Sequence, residues 1–597
     1  MRKAALILNF YTIDNPYFDG RYYSLETMDG QLQKLVEQWL SIDHNETTRR
    51  EIETFVANKN TSKLKELLES RIQFGTAGLR ARMEAGFARM NDVTVVQASQ
   101  GLAAYIKSGS AVVGHDHRHN SKRFAQLTAL VFGSYGFKVY FVGQCATPMV
   151  PYSVDRYKAS VGIMVTASHN PKDDNGYKVY WKNGCQIIPP LDSDIQLSIM
   201  ENLDPQIDWD VNKIYSNKNV IFCHDEVVYG YSKRVLDILQ PQKLGDFKYV
   251  YTAMHGVGFE FVKAITELFT DDGNLIPVKK QCSPDPDFPT VAFPNPEEKD
   301  ALNLALCTAN ANNVDLVLAN DPDADRFSVA YRTPNGWRQL SGNEIGLLFA
   351  DYVVQKQTNL DKMYMINSTV SSQMPGSMAD KLGFGFVDTL TGFKWIGNKA
   401  IELEKKGYNV PFAFEEAIGF MFPVVHDKDG ISALVVFLQL YNKLLKEGIK
   451  LGERLEQLYS KYGYFKQCNG YYITTPAVQD EIFNCIRSTK PYPSHIGKYQ
   501  VNSWRDLTMG YDSDTVDHLP TLHVDPSSHM ITCKLLTPNK DEFIRFTVRG
   551  SGTEPKLKVY IEAKAENENR AESLAEDVWI TLRKTWFTVE GLTEKRV

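Results

Sequence analysis

Several features are scarce or missing in this chain of 597 residues. Its eight cysteines are scattered from Cys145 to Cys533, with no Cys-x-x-Cys pair and none near a histidine at zinc-finger spacing. This excludes a small disulfide-stapled scaffold and fits reduced thiols in a cytosolic protein. No apolar run approaches the ~20 residues a membrane helix needs. The best, Ile431 to Leu440, holds Ser432 and Gln439 and predicts a buried helix. A Lys/Arg block is also missing. Lys+Arg is 66 against 72 for Asp+Glu, a formal net charge of −6, so nucleic acid and anionic membrane are poor partners. Low-complexity segments and short-period repeats are absent. Arg2 and Lys3 precede an apolar stretch, Ala4 to Phe10, but it is short, broken by Asn9, and followed by no convincing small-residue cleavage site. A secretory signal is not expected. The expectation is a cytoplasmic monomer.

What is present is ordinary for a globular protein: 43% hydrophobic and 23% charged residues. At roughly 150 residues per domain the length suggests about four domains. Short β-rich runs alternate with Gly-containing loops and helical stretches. Ala111–Gly114, Lys138–Val142 and Val161–Val165 read as strands, and Arg123–Tyr135 reads as a helix. The pattern returns at Lys248–Thr252 and Val314–Leu318, then at Met363–Ile366, Phe384–Val387 and Val410–Phe414. Such alternation argues for α/β units with parallel or mixed sheets. From about Lys461 the pattern changes. Tyr471–Thr474, Met530–Leu535 and Phe543–Val548 look like sheet, and Ala563–Leu582 like one closing helix, giving an α+β domain. The expected division is an N-terminal extension and first helix over 1–45, then domains over 46–215, 216–340, 341–460 and 461–597. The segment from Pro205 to Asn219 reads equally well as a loop within the first domain.

Four loops carry candidate chemistry. Thr166-Ala-Ser-His-Asn-Pro171 follows a buried strand. There the Ser168 hydroxyl could attack or carry a phosphoryl group, with His169 and Lys178 as proton carriers or phosphate ligands; a plain surface turn fits the spacing equally. Asp321, Asp323 and Asp325 can converge on a hard cation such as Mg²⁺, with Arg326 beside them for a phosphate. An EF-hand is excluded, because Arg326 and Arg332 stand where Gly and Glu are required. Glu415 and Glu416 end a strand and could accept from sugar hydroxyls, or simply cap a helix. On sequence alone Lys428 reads better as a solvated surface lysine. Arg549-Gly-Ser-Gly-Thr553, with Lys558 beyond, offers backbone N–H groups, the Ser551 and Thr553 hydroxyls and a guanidinium to an anion, without Walker A spacing. A phosphate-carrying hydroxyl, a cation site and a remote anion clamp together point to phosphoryl transfer on a phosphosugar.

This set resembles the α-D-phosphohexomutase superfamily, from about Arg71 to about Phe587. Phe74-Gly-Thr-Ala-Gly-Leu-Arg80 and Gly114-His-Asp-His-Arg118 also match its early motifs. The resemblance implies a heart-shaped fold of three mixed α/β domains and a C-terminal α+β domain around a central cleft. It implies that Ser168 is phosphorylated, that Asp321, Asp323, Asp325 and the Ser168 phosphate hold Mg²⁺, and that Arg80, His169 and Arg326 surround the transferring group. Lys178 is similar to a lysine that assists proton transfer. Thr391, Gly392, Lys394, Glu415, Glu416 and Lys428 are implied to contact the sugar, and Arg549, Ser551, Gly552, Thr553 and Lys558 the non-reacting phosphate. The implied activity moves a phosphate between C1 and C5 or C6 of an aldose, primed by a sugar 1,6- or 1,5-bisphosphate. Phe414 and Ala417 stand where hexose enzymes have Gly and Ser, and the loops resemble the type-2 phosphoglucomutase branch, which holds phosphopentomutases and a glucose-1,6-bisphosphate synthase. Losing that hydroxyl fits a smaller sugar or looser selection. Lys558 replaces a common Arg, keeping charge without the bidentate fork. The stretch Met1–Thr27 matches no recognised part of the family and reads either as an extension of this chain or as sequence upstream of a natural start at Met28. The rival expectations are the bisphosphate synthase and a non-catalytic sugar-phosphate-binding protein.

Overall fold

The computed structural model describes residues 29–75, 78–489, 492–550 and 555–596. The expectation for Met1–Thr27 therefore lies outside the described residues. Three short helices come first, Gly30–Ile42, Glu46–Ala57 and Thr61–Leu68, each opened by an Asp or Asn whose side chain accepts from a first-turn N–H. Leu32, Val36 and Trp39 share one face and pack with Leu64, Leu67 and Phe87.

The first sheet has six strands in the order Leu79–Arg82, Asp174–Trp181, Val161–Val165, Ser110–His115, Lys138–Gln144, Val220–Phe222. Its centre is parallel, and Val161–Val165 is buried at every position, as befits a strand covered on both faces. The last strand pairs Val220 with Val139. The polar stretch before it thus runs over the first layer rather than out of it. The second sheet runs Gly336–Gln339, Phe327–Thr333, Leu316–Asn320, Tyr249–Thr252, Leu275–Pro277. The third runs Gly385–Thr389, Met363–Ser368, Asn409–Glu415, Gly419–Met421. The Ile431–Leu440 run lies in the helix Gly430–Glu447, whose apolar side chains there are buried up to Leu440.

The C-terminal layer is a nine-stranded sheet with the helices Pro476–Arg487 and Glu568–Thr585. The closing helix starts later than expected. Ala563 and Ala565 end the strand Lys556–Ala565, where they alternate with the less buried Lys564, and Asn567 then caps the helix through Arg570 N. A large apolar core joins the first three layers, while the C-terminal layer keeps its own core. Among the described residues no helix is long and apolar enough to cross a membrane.

Candidate active site

Ser168 sits just past the buried strand Val161–Val165, at the carboxyl end where open α/β sheets present ligands. Its φ of 53° is unusual for a residue with a side chain. Thr166 Oγ1 accepts from the Ser168 N–H at 2.8 Å. Arg118 over-determines the turn: its guanidinium donates to the carbonyls of Ser168 and Asn170 at 2.6 Å and of Pro171 at 2.8 Å. Both Arg118 and its partner Asp116 are buried, with side chains 3.3 Å apart. The loop is thus strained backbone pinned by a buried cation.

Ser168 Oγ donates to Asp321 Oδ2 at 2.8 Å, joining two loops far apart in sequence. Asp321, Asp323 and Asp325 all have zero exposure and converge, with one oxygen of each within 4.8 Å of the others. The chain curls there because Ala324 takes φ 56° and its N–H donates to the Asp321 carbonyl. Lys178 Nζ donates to Asp323 and Asp325, both at 2.7 Å, and Thr147 Oγ1 to Asp323 at 2.6 Å. Lys428 Nζ reaches Asp325, so it is a largely buried counter-ion rather than a solvated lysine. Burial penalises the Asp323 charge, but Lys178 and Lys428 outweigh it and hold this carboxyl well below its ordinary range. Asp321 goes the other way: burial, then repulsion from Asp323 and Asp325, raises it well above. Lys178 and Lys428 thus balance the Asp323 and Asp325 charges, and Asp321 takes up a proton in the absence of a cation. Asp323 Oδ1 and Asp325 Oδ1 are buried without a partner. Unsatisfied hard oxygens beside a like-charged neighbour are what a divalent cation satisfies, so the residues present fit Mg²⁺.

Around this centre stand His169, Arg326 and Arg80. His169 Nδ1 lies 3.3 Å from Ser168 Oγ. Burial, and then Arg326 and Arg80, hold the imidazole well below its usual pKa, hence neutral. The Arg326 N–H donates to Asp321 at 2.9 Å, and its guanidinium lies 3.6 Å from Glu297. Arg80 is exposed and donates to Asn170 at 3.3 Å. Lys178 stays protonated: burial lowers its pKa, but Asp323 and Asp325 outweigh it and raise it. It stands as a counter-ion to Asp323 and Asp325.

The third layer lies opposite. Glu415 Oε1 accepts from the Gly392 N–H at 2.7 Å, which ties the two expected sugar loops together. Glu416 instead accepts from Ser368 and Ser371 at 3.0 Å. Arg549 reaches across from the C-terminal sheet to donate to Thr391, and Lys558 pairs beside it in the next strand. Burial lowers the Lys394 pKa to about 8. Thr391, Lys394 and Arg549 share a cavity of about 410 Å³. Ser551, Gly552 and Thr553 lie outside the described residues.

Sequence reasoning missed three contributors. Arg118 was part of a recognised motif, but its grip on the serine loop depends on carbonyls 50 or more residues away. Thr147 carried no signal. Glu297 stands in Pro294-Asn-Pro-Glu297, a turn with no obvious chemistry.

Comparison with known proteins follows the same layers. The phosphoglucomutase/phosphomannomutase family models match in order: α/β/α domain I over residues 71–205, domain II over 230–336, domain III over 341–462 and the C-terminal domain over 539–579. A phosphoribomutase of Saccharomyces cerevisiae is 50% identical over 94% of this chain and 97% of its own length. A Homo sapiens phosphopentomutase is 40% identical over 91% and 93%. A Homo sapiens glucose 1,6-bisphosphate synthase is 38% identical over 96% and 94%. Among solved structures, the pp63/parafusin phosphoglucomutase of Paramecium superposes with a TM-score of 0.63 over 88% of this chain and 98% of its own, at 16% identity, a likeness of fold. With four domain models matched in order and relatives similar along nearly the whole length, the chain belongs to the phosphoglucomutase/phosphomannomutase family of the α-D-phosphohexomutase superfamily.

Proposed function

We propose that this enzyme is a phosphopentomutase that carries its phosphoryl group on Ser168 and also converts glucose phosphates. The observation that carries the reading is Ser168 Oγ, held on a strained turn 2.8 Å from Asp321 in a buried carboxylate trio. A binding protein has no need of a nucleophile beside a buried carboxylate trio with unpartnered oxygens. The pentose preference rests on the names of the relatives at 50% and 40% identity and on Ala417, which offers no hydroxyl to a hexose.

In this reading a sugar hydroxyl attacks the phosphorus of phospho-Ser168. The new P–O bond forms as the bond to Ser168 Oγ breaks, and neutral His169 takes the hydroxyl proton and returns it to the departing Ser168 Oγ, 3.3 Å away. The bisphosphate turns over in the cleft, and its other phosphate returns to Ser168 by the reverse steps. Asp321, Asp323 and Asp325 would hold Mg²⁺, whose charge, when bound, offsets that of the transferring phosphoryl oxygens. Arg326 and Arg80 face the same oxygens. Arg549, the Ser551–Thr553 loop and Lys558 grip the phosphate at rest, with Thr391 and Glu415 on the sugar. A first domain that extends through the strand Val220–Phe222, later boundaries near 340 and 460, a monomeric state and a cytoplasmic location complete the proposal.

The test is a coupled assay with Mg²⁺ and a trace of sugar bisphosphate, comparing ribose 1-phosphate and glucose 1-phosphate by kcat/KM. A ratio favouring ribose is expected. Ser168→Ala should lose at least ~10³-fold in kcat, as removal of a nucleophile does; full turnover in that variant would overturn the assignment. The similarity to a bisphosphate synthase supports a second reading, which predicts stoichiometric consumption of a phosphoryl donor instead of catalytic priming.

A further inference from the structure

The cavity at the clamp end of the cleft has a wall that the family models do not account for. Thr391, Lys394 and Trp395 belong to the third matched domain and Arg549 to the C-terminal one. Residues 463–538 fall between those two matches. From this stretch come Leu507, His523–Ser528 and Met530, half of the residues that line the cavity.

The stretch is built as a fixed wall. The Asp525 N–H donates to the Leu507 carbonyl at 3.0 Å. Asp525 Oδ1 accepts from the N–H of Ser527 at 2.9 Å and from its hydroxyl at 2.6 Å. Thr508 Oγ1 donates to the Ser528 carbonyl at 3.1 Å. Beneath, Leu507 and Met530 are buried against Val370 of the third layer, with Leu390 and Leu522 alongside. At the tip the His523 ring stacks on Trp395, centroids 5.2 Å apart and planes 29° apart. Trp395 lies in the first turn of the helix Phe393–Lys405, directly after Thr391 and Gly392. The stack therefore ties this loop to the third domain beside Thr391 and Gly392, at the cavity that Arg549 also lines.

We infer that the loop Leu522–Ser528, with His523 stacked on Trp395, is a specificity-determining wall that limits how long a phosphosugar the cleft accepts. This rests on the phosphosugar reading above. A substrate must span from the serine to the clamp, and a hexose separates its two phosphate positions by one carbon more than a pentose. A rigid wall at the clamp end discriminates on that difference. One methylene against a well-formed pocket is worth about 10- to 200-fold.

The test uses the full-length enzyme and two single variants, His523→Ala and His523→Phe. Dissociation constants for ribose 5-phosphate and glucose 6-phosphate are measured by calorimetry, so the readout does not depend on turnover. His523→Ala is expected to tighten glucose 6-phosphate at least fivefold relative to ribose 5-phosphate. His523→Phe, which keeps a stacked ring, should hold the wild-type ratio within twofold. An unchanged ratio in His523→Ala at an unchanged Tm would overturn the wall, as would equal shifts in both variants. Wild-type turnover of ribose 1-phosphate is read separately. Its absence removes the phosphopentomutase reading, while the binding ratio still decides the wall.

Discussion

At the scale of single residues, the carboxylate trio is the least self-sufficient part of the molecule. Lys178 and Lys428 supply two positive charges, and two buried oxygens of Asp323 and Asp325 still lack partners. A divalent cation bound there stabilises the folded protein by mass action, about 2.7 kcal/mol at a hundredfold excess over Kd. Added Mg²⁺ should therefore raise the wild-type Tm, and Asp323→Asn should abolish that rise; an equal rise in both proteins, followed by differential scanning fluorimetry, would place the ion elsewhere. Spacing made this cluster legible, because three alternate carboxylates need only a curled loop to converge. Lys428 was not legible. Its neighbours Asp427 and Asp429 suggest a solvent-facing turn, and only the packing of the third layer on the second brings it to Asp325, 103 residues away.

Elements decide whether those residues are held in place. The serine loop depends on Arg118, whose fork reaches three carbonyls that no lysine could serve together. Arg118→Lys should lower kcat by roughly 10², as a misplaced nucleophile does, with KM for the phosphosugar little changed. A matching loss in KM would show a binding role instead. The helix Gly430–Glu447 begins at Asp429, whose carboxylate accepts from the N–H groups of Ile431 and Ser432 and from Tyr231 Oη. Burial raises the Asp429 pKa to about 6. A folded pKa above the ordinary 3.8 means that the neutral form favours folding and that ionisation opposes it. The contribution of Asp429 to stability therefore falls as pH rises from about 4 to about 6, by about 3 kcal/mol at 1.36 kcal/mol per unit. Asp429→Asn keeps a good cap and should flatten that part of the Tm-against-pH curve. A curve of unchanged slope in the variant would contradict it. Most elements could be anticipated from periodicity. The closing helix was drawn too early because Ala-rich sequence favours helix, whereas pairing of Ala563 with Ile544 and with Lys466 overrides that preference.

On the scale of the whole molecule, the first three layers share one apolar core that Phe465 of the C-terminal sheet also enters, and the fourth layer meets the third further through a small cluster and a few polar contacts. Arg505 donates to Thr369 and lies 3.5 Å from Asp388, and Arg545 donates to the Ser371 carbonyl at 2.8 Å. In the proposed mechanism this interface positions the clamp and opens for the bisphosphate to turn. Arg505→Ala removes a largely buried charge-assisted contact worth about 1.5–3 kcal/mol. It should raise KM roughly tenfold, since 1.4 kcal/mol is a factor of ten, with kcat within about threefold. A fall in kcat with KM unmoved would instead tie this interface to chemistry.

The sequence by itself determined the alternation of strands and helices, the strand-end loops and their chemistry, because each depends on residues within a few positions of one another. The candidate serine, the carboxylate cluster and the Gly-containing loop after Arg549 were legible for that reason. Only the tertiary structure decided which loops meet. Ser168 finds Asp321 across 153 positions, Arg118 closes on the serine turn, Lys428 serves as a counter-ion and His523 stacks on Trp395. Those pairings follow from how layers pack against one another, and the polarity and spacing of a local stretch carry no record of the partner it meets.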